Sequence, residues 1–279
     1  MPPILCPVCG GVLRREERRF LCPSGHSFDL ARQGYLNLLT VEQKHSLHPG
    51  DTRDQVAARR AFLSGGFYRP IADRLCELAR EFAPEAGELL DVGCGEGYYS
   101  TRAAAALGCG LTGVDIAKDA VRYAAGQYKN AAWLCATAAH LPFPAETFGL
   151  VLSLFALAVP GEFARVLRPG GVYIEAVAAP DHLLGLKEII YPRVRIKEKD
   201  PAPRLPGFRL EAVRPLSFPF AVEGGQVQNL LAMTPHYWRI SKEGAAALAA
   251  TQRLEDRASV VFYVYRKDDS HGTGDRIEV

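Results

Sequence analysis

The sequence predicts an α/β protein, a doubly wound parallel sheet preceded by a small cysteine-anchored module. Three observations predict it. From Pro70 onward, short apolar runs alternate with helical patterns. A glycine-rich turn, "DVGCGEG", joins the first of those runs to the helix after it. Three cysteines and a histidine crowd the first 26 residues.

The opening segment reads "CPVCGGVLRREERRFLCPSGH". Its spacing, Cys6-x2-Cys9-x12-Cys22-x3-His26, gives the ligand count of a tetrahedral structural Zn²⁺ site of Cys₃His type. Four protein ligands leave no open position for a catalytic water. Gly10, Gly11 and Gly25 suit the tight turns that bring such ligands together. The charged stretch between the ligand pairs predicts a β-hairpin with its side chains outward. Two readings of Arg14, Arg15, Arg18 and Arg19 stand open, phosphate contacts or a solvated face balanced by Glu16 and Glu17.

"HSLHPGD" has linker composition, and Asp51 or Thr52 can cap a helix running to about Leu63, closed by Ser64-Gly65-Gly66. Pro70 suits a first helical turn, followed by Ile71, Leu75, Leu78 and Phe82 on one face. "GELLDVG" is the first strand of the main sheet, with an alanine-rich helix near 99–107 after the glycines. "GLTGVDI", "AAWLCAT", "FGLVLSLF" and "GVYIEAVA" read as further strands. "AVRYAAGQY" and "EFARVLRPGG" read as helices, the second closed by its Pro-Gly-Gly turn. "ASVVFYVYRK" is the final strand, and residues 268–279 are expected to be a disordered tail.

Hydrophobic residues make up 48% and charged residues 23% of the chain, as in a globular protein with a real core. No apolar run approaches the roughly 20 residues of a membrane span, so no membrane is expected. "MPPILCPVCGG" has neither a charged nor an apolar leader region, which predicts a cytoplasmic protein. Cys76, Cys94, Cys109 and Cys135 lack paired spacing and read as small buried apolar residues. A net charge of +2 argues against an extended nucleic-acid coat. Residues 1–60 nevertheless carry nine Lys/Arg against six acids, while the remainder is nearly balanced.

Gly93, Gly95 and Gly97 stand between strand and helix, where backbone can approach a ligand closely. Asp115 ends the second strand, 24 residues after Asp91, where an acid can accept ribose hydroxyls. The register is G-x-G-x-G, and Asp91 and Glu96 border the loop. Carboxylates there repel a pyrophosphate but tolerate a sulfonium and an ammonium. The loop therefore favours S-adenosylmethionine over a dinucleotide.

With those residues in place, "LDVGCGEGYYS…GVDIA…LPF…FARVLRPGG" resembles the class I S-adenosylmethionine-dependent methyltransferases. The resemblance implies a Rossmann-like, seven-stranded, mostly parallel sheet whose last strand runs antiparallel. Many members carry an acid shortly before "LPF" for the adenine amine. Here the run is Ala136-Thr137-Ala138-Ala139-His140, which leaves Thr137 or backbone groups for adenine.

The zinc segment together with "DLARQGYLNLL", "ARRAFLSGGFY", "HLLGLKEIIY" and "MTPHYWR" is similar to the bacterial 23S rRNA guanine-N1-methyltransferases. The resemblance spans roughly residues 4–265. It implies methylation of N1 of a guanine in a hairpin of 23S rRNA domain II, and a homodimer whose zinc modules help form the RNA cleft. It carries cofactor contacts onto Tyr68, Gly95, Glu96 and His182. The division implied is a zinc-binding RNA-recognition module over 1–45, a linker and helix over 46–69, and a methyltransferase domain over 70–267.

No catalytic base is assigned by the sequence, although Glu96 and His182 are candidates. "SLFALAVPG" after the fourth strand lacks the Asn-Pro-Pro-aromatic signature, which argues against exocyclic-amine methylation. Tyr237 and Trp238 offer stacking faces for a splayed base, with core packing the alternative, favoured for Trp238. Two rival functions remain open, a small-molecule methyltransferase and a non-enzymatic zinc-dependent RNA-binding protein.

Overall fold

A computed structural model describes residues 1–43, 49–196 and 203–268. The first part of the expected linker and all but the first residue of the expected tail lie outside these residues. The N-terminal segment folds into strands β1 (Ile4–Leu5), β2 (Val12–Glu16), β3 (Arg19–Leu21) and β4 (Ser27–Asp29). They pair in that order as an antiparallel sheet. The expected hairpin, β2 with β3, is its centre, turned at Glu17 with φ of 51°.

The chain then adds β5 (Tyr35–Asn37) to a larger sheet, where it pairs in parallel with β8 (Ala132–Cys135). The rest of that sheet comprises β6 (Glu88–Val92), β7 (Gly110–Asp115), β9 (Phe148–Leu154), β10 (Leu167–Ala178), β11 (Phe208–Glu223) and β12 (Arg253–Lys267). Their order is β11-β12-β10-β9-β6-β7-β8-β5. β12 runs antiparallel between β10 and β11, as expected for the last strand. Seven strands form the expected methyltransferase sheet. β5 is an eighth, and the sequence does not announce it because three residues carry almost no period.

The sequence also hides β11. Pro215 and Pro219 interrupt its apolar alternation, and proline demotes a run that would otherwise read as a strand. At the sheet edge it is tolerated.

The helices are α1 (Arg53–Ser64), α2 (Arg69–Phe82), α3 (Tyr98–Leu107), α4 (Lys118–Gln127), α5 (Pro160–Val166), α6 (Leu184–Ile190), α7 (Gly225–Ala232) and α8 (Lys242–Ala250). Thr52 caps α1 with its hydroxyl on the Gln55 N–H, and Gln55 returns the bond in a capping box. α5 stops at Val166, and Leu167 onward is already extended, so "LRPGG" belongs to β10 and not to the helix. Proline lacks the N–H that a continuing helix requires.

Strand alternation divides the core between the two faces of the sheet. Leu89, Leu150 and Ile174 pack with Phe62, Leu75 and Ala103 on one face. Leu90, Val151 and Tyr173 pack with Phe143 and Phe163 on the other. Ile4, Leu13 and Phe20 of the small sheet join that second core, and the Leu5 N–H donates to Pro142 O at 2.8 Å. The cysteine-bearing sheet is therefore docked by apolar burial. Across the larger sheet the chain reverses direction of growth between β6 and β9. In open α/β sheets ligands bind in the crevice outside the strand C-termini at such a switch point.

Candidate active site and metal centre

The glycine loop leaves β6 at this switch point. Gly93, Gly95 and Gly97 have φ of 80°, 53° and 82°, left-handed values that glycine adopts without penalty. Their surroundings differ. A Cβ on Gly93 would lie 2.4 Å from Ala156 Cβ, and one on Gly97 would lie 2.5 Å from the Trp133 ring. At Gly95 the nearest atom would be Arg59 Nη1, at 4.0 Å. Trp133 thus supports the loop from below, and the free approach is at Gly95.

Asp115, at the end of β7, ties the loop down. Its Oδ2 accepts the Gly95 N–H and its Oδ1 accepts the Ala117 N–H, both at 2.8 Å. Each oxygen keeps a second lone pair, so a ribose can still be bound there. Thr137 follows β8, whose Cys135 pairs with Asp115, and its hydroxyl accepts the Ala139 N–H at 3.2 Å.

Asp91 Oδ1 and Glu96 Oε1 are buried without a hydrogen-bond partner. Burial pushes Asp91 up to about 7, opposed by the Ser100 hydroxyl. Burial also raises Glu96, against the pull of the Arg59 guanidinium, and raises Asp115. Unpartnered carboxylate oxygens around a close-approach glycine form a site for a cation bearing a nucleoside. The sulfonium, ammonium and ribose of S-adenosylmethionine fit that donor set, whereas a pyrophosphate does not.

Tyr68 and His182 stand on another wall. Tyr68 Oη is 3.2 Å from His182 Nε2, and His182 Nδ1 accepts the Ser259 N–H at 3.1 Å. An Nδ1 that accepts leaves the proton on Nε2, which donates to Tyr68. Burial depresses the His182 imidazole to about 4. Both ring nitrogens are thus engaged within the fold. Glu96 faces Arg59, Asp115 and Asp51, whose charges all act on it. Ser259 lies 77 positions from His182, and no local signal could have joined them.

Arg59 pairs with Asp51 and donates to Met233 O, while Arg60 lies over the Tyr123 ring at 4.8 Å. Both are engaged within the fold. Trp238 is 67% exposed and Tyr237 41%, in a 3₁₀ turn over Pro235–Trp238. Core packing, the reading favoured for Trp238, does not hold, because the residue lies mostly in solvent with the Tyr237 ring as its aromatic neighbour.

In the small sheet, one ligand atom each of Cys6, Cys9, Cys22 and His26 lies within 4.8 Å of all the others. Cys9 Sγ is 3.6 Å from Cys22 Sγ, and His26 Nδ1 is 3.6 Å from Cys6 Sγ and 3.2 Å from Cys22 Sγ. Tetrahedral zinc, with bonds of about 2.3 Å to sulfur and about 2.0 Å to nitrogen, sets ligand separations of roughly 3.5–3.8 Å. The His26 N–H donates to Cys22 Sγ at 3.3 Å, a bond that supports a thiolate. The donor set and its spacing fit zinc. All seven cysteines are free of disulfides.

The sheet order with its antiparallel last strand, the loop and the acid ending β7 together define a class I S-adenosylmethionine-dependent methyltransferase. Two family models match the chain, one described as RlmA, N-terminal, over residues 4–47 and one as Methyltransferase domain over 89–171. A 23S rRNA (guanine(748)-N(1))-methyltransferase of Streptomyces fradiae is 35% identical, over 84% of this chain and 85% of its own. YxjB of Bacillus subtilis (strain 168), provisionally named a 23S rRNA (guanine-N(1)-)-methyltransferase, is 30% identical over 87% and 89%. A demethylmenaquinone methyltransferase of Tropheryma whipplei (strain Twist) is 31% identical over 51% and 64%. The chain belongs to the family of 23S rRNA (guanine-N(1))-methyltransferases.

Proposed function

We propose that this protein transfers the methyl group of S-adenosylmethionine to N1 of a guanine in a domain II hairpin of 23S rRNA. The observation that supports it best is the fusion, through one apolar core, of a Cys₃His sheet carrying an exposed arginine hairpin to a cation-seeking glycine-loop crevice. Relatives that match 84% and 87% of this chain are named as 23S rRNA guanine-N1-methyltransferases.

Asp91, Gly93, Gly95, Glu96, Gly97 and Asp115 would hold the cofactor's methionine and ribose, with Thr137 near the adenine. S-adenosylmethionine supplies an already activated methyl group, so alignment carries much of the acceleration. The chain's own part is to position. The Asp115 carboxylate fixes Gly95 where the ligand passes, and Tyr68, held by His182, keeps its hydroxyl proton free to donate into the crevice. Residues 1–45 would recognise RNA, 46–69 would roof the cofactor through Arg59 and Asp51, and 70–267 would carry out transfer. A structural zinc, a homodimeric assembly and a cytoplasmic location complete the reading.

Primer extension on 23S rRNA from a strain lacking the gene tests it, because N1 methylation blocks pairing and stops the polymerase. The stop in domain II should vanish, and the purified protein with labelled S-adenosylmethionine should restore it. An unchanged stop pattern, with label passing only to small molecules, would refute the proposal.

A further inference from the structure

Phe155 is the first residue after β9. Its φ is 55°, in the left-handed region that a bulky side chain rarely adopts. Its N–H is held by Ala176 O at 2.8 Å, which pins the backbone in that shape. Phe155 is 43% exposed. A large apolar group held in a disfavoured conformation and left half in solvent is not serving the core. Such outliers persist where the surroundings over-determine them, and they gather at ligand sites.

Its place in the sheet says what the ring faces. The crevice lies between β6 and β9. The β6 and β7 side is taken by the glycine loop and Asp115, which leaves the β9 side for the second reactant. Phe155 tops that side. Its neighbour Ala156 abuts Gly93 so closely that no Cβ would fit there, so the ring stands beside the loop. Its centroid is 6.3 Å from Tyr99 and 6.5 Å from His182, with the His182 ring tilted by 30°.

We infer that the Phe155 ring is the platform on which the acceptor guanine stacks once it is splayed from its hairpin. A flat, exposed aromatic face beside the cofactor loop suits a planar base, and stacking leaves the Watson–Crick edge free to point at the methyl group. This assignment rests on the rRNA reading above, and it adds the residue that receives the base. The sequence gives no signature here because the platform arises from one backbone torsion after a strand.

Three variants test it on a domain II hairpin transcript. Phe155→Ala should lower kcat/KM by roughly 10- to 100-fold, the range for loss of one base–aromatic stack, and Phe155→Trp should stay within about threefold of the wild type. Phe155→Gly removes the ring and also relieves the left-handed torsion. It should melt no lower than the wild type yet lose methyl transfer like the alanine variant, which a merely structural role would not produce. S-adenosylmethionine affinity, measured by calorimetry, should be unchanged in all three. Transfer by Phe155→Ala within about threefold of the wild type would overturn the assignment. So would a loss of cofactor affinity that accounts for the loss in rate. A wild-type protein that methylates no 23S rRNA would overturn the rRNA reading itself and this inference with it.

Discussion

Tyr68 Oη lies 3.2 Å from His182 Nε2, and the opposite nitrogen of that imidazole accepts the backbone N–H of Ser259 at 3.1 Å. The pair fixes both a tautomer and a charge. With its ionisation depressed to about 4 by burial, His182 is neutral throughout the working range. The pH–rate profile between about pH 5 and 8 should therefore show no limb from His182. His182→Asn should weaken cofactor binding while leaving the profile's shape unchanged. Loss of an ionisation from the profile would identify His182 as a base after all. The folded protein binds fewer protons here than the unfolded chain, so this group's contribution to stability is lost as pH falls from about 6.5 toward about 4.

Asp91 predicts the opposite sign. Its ionisation is raised to about 7 in the free protein, so the folded state binds more protons than the unfolded one. Its contribution to stability should fade as pH rises from about 4 through about 7. A cationic cofactor reverses this by favouring the carboxylate. Calorimetry should show S-adenosylmethionine affinity rising between about pH 6 and 8. It should also show proton release on binding near pH 7. A pH-independent affinity would mean that Asp91 does not sense the cofactor's charge.

Gly95 and Gly97 should respond differently to alanine. At Gly97 the new Cβ meets the Trp133 ring at 2.5 Å in a left-handed backbone, so Gly97→Ala should cost roughly 2–5 kcal/mol of stability. At Gly95 the Cβ enters open space, so Gly95→Ala should cost only about 1–2 kcal/mol yet reduce cofactor affinity at least roughly tenfold. Denaturant melts paired with calorimetry separate the two, and equal destabilisation would refute the assignment of the open approach to Gly95.

One zinc per chain is expected in protein purified without chelator. Cys22→Ser should release it and loosen β1 to β4. β5 should stay protected from hydrogen exchange, because it is paired with β8 and the Leu38 N–H is bound to Cys135 O. Metal analysis without zinc, or loss of β5 protection on metal removal, would contradict this.

The four arginines of the opening hairpin are not equivalent. Arg19 is paired with Glu16 and Arg15 Nε donates to Glu17 O, whereas Arg14 and Arg18 make no ion pair among the described residues. Neutralising Arg14 and Arg18 should flatten the salt dependence of RNA binding by about one log unit per lost phosphate contact. Neutralising Arg15 and Arg19 should flatten it less. Unchanged slopes would make the hairpin a solvated face.

The parts of this protein that were legible in its sequence are those carried by neighbours along the chain. The Cys₃His spacing, the glycine turn between strand and helix, the acid ending β7 and the Thr52 cap depend on a few consecutive residues, so their physics is local. The tertiary structure alone decided the rest. Two prolines hid β11, and three residues too short to show a period became an eighth strand because β8 had a free edge. Arg59 turned in to Asp51 and to Met233 O, 174 residues further along the chain. His182 acquired its tautomer from Ser259, and the Phe155 torsion is held by Ala176 O. Each of these depends on a hydrogen bond or ion pair made across the fold, whose geometry exists only once the sheet has brought distant segments together.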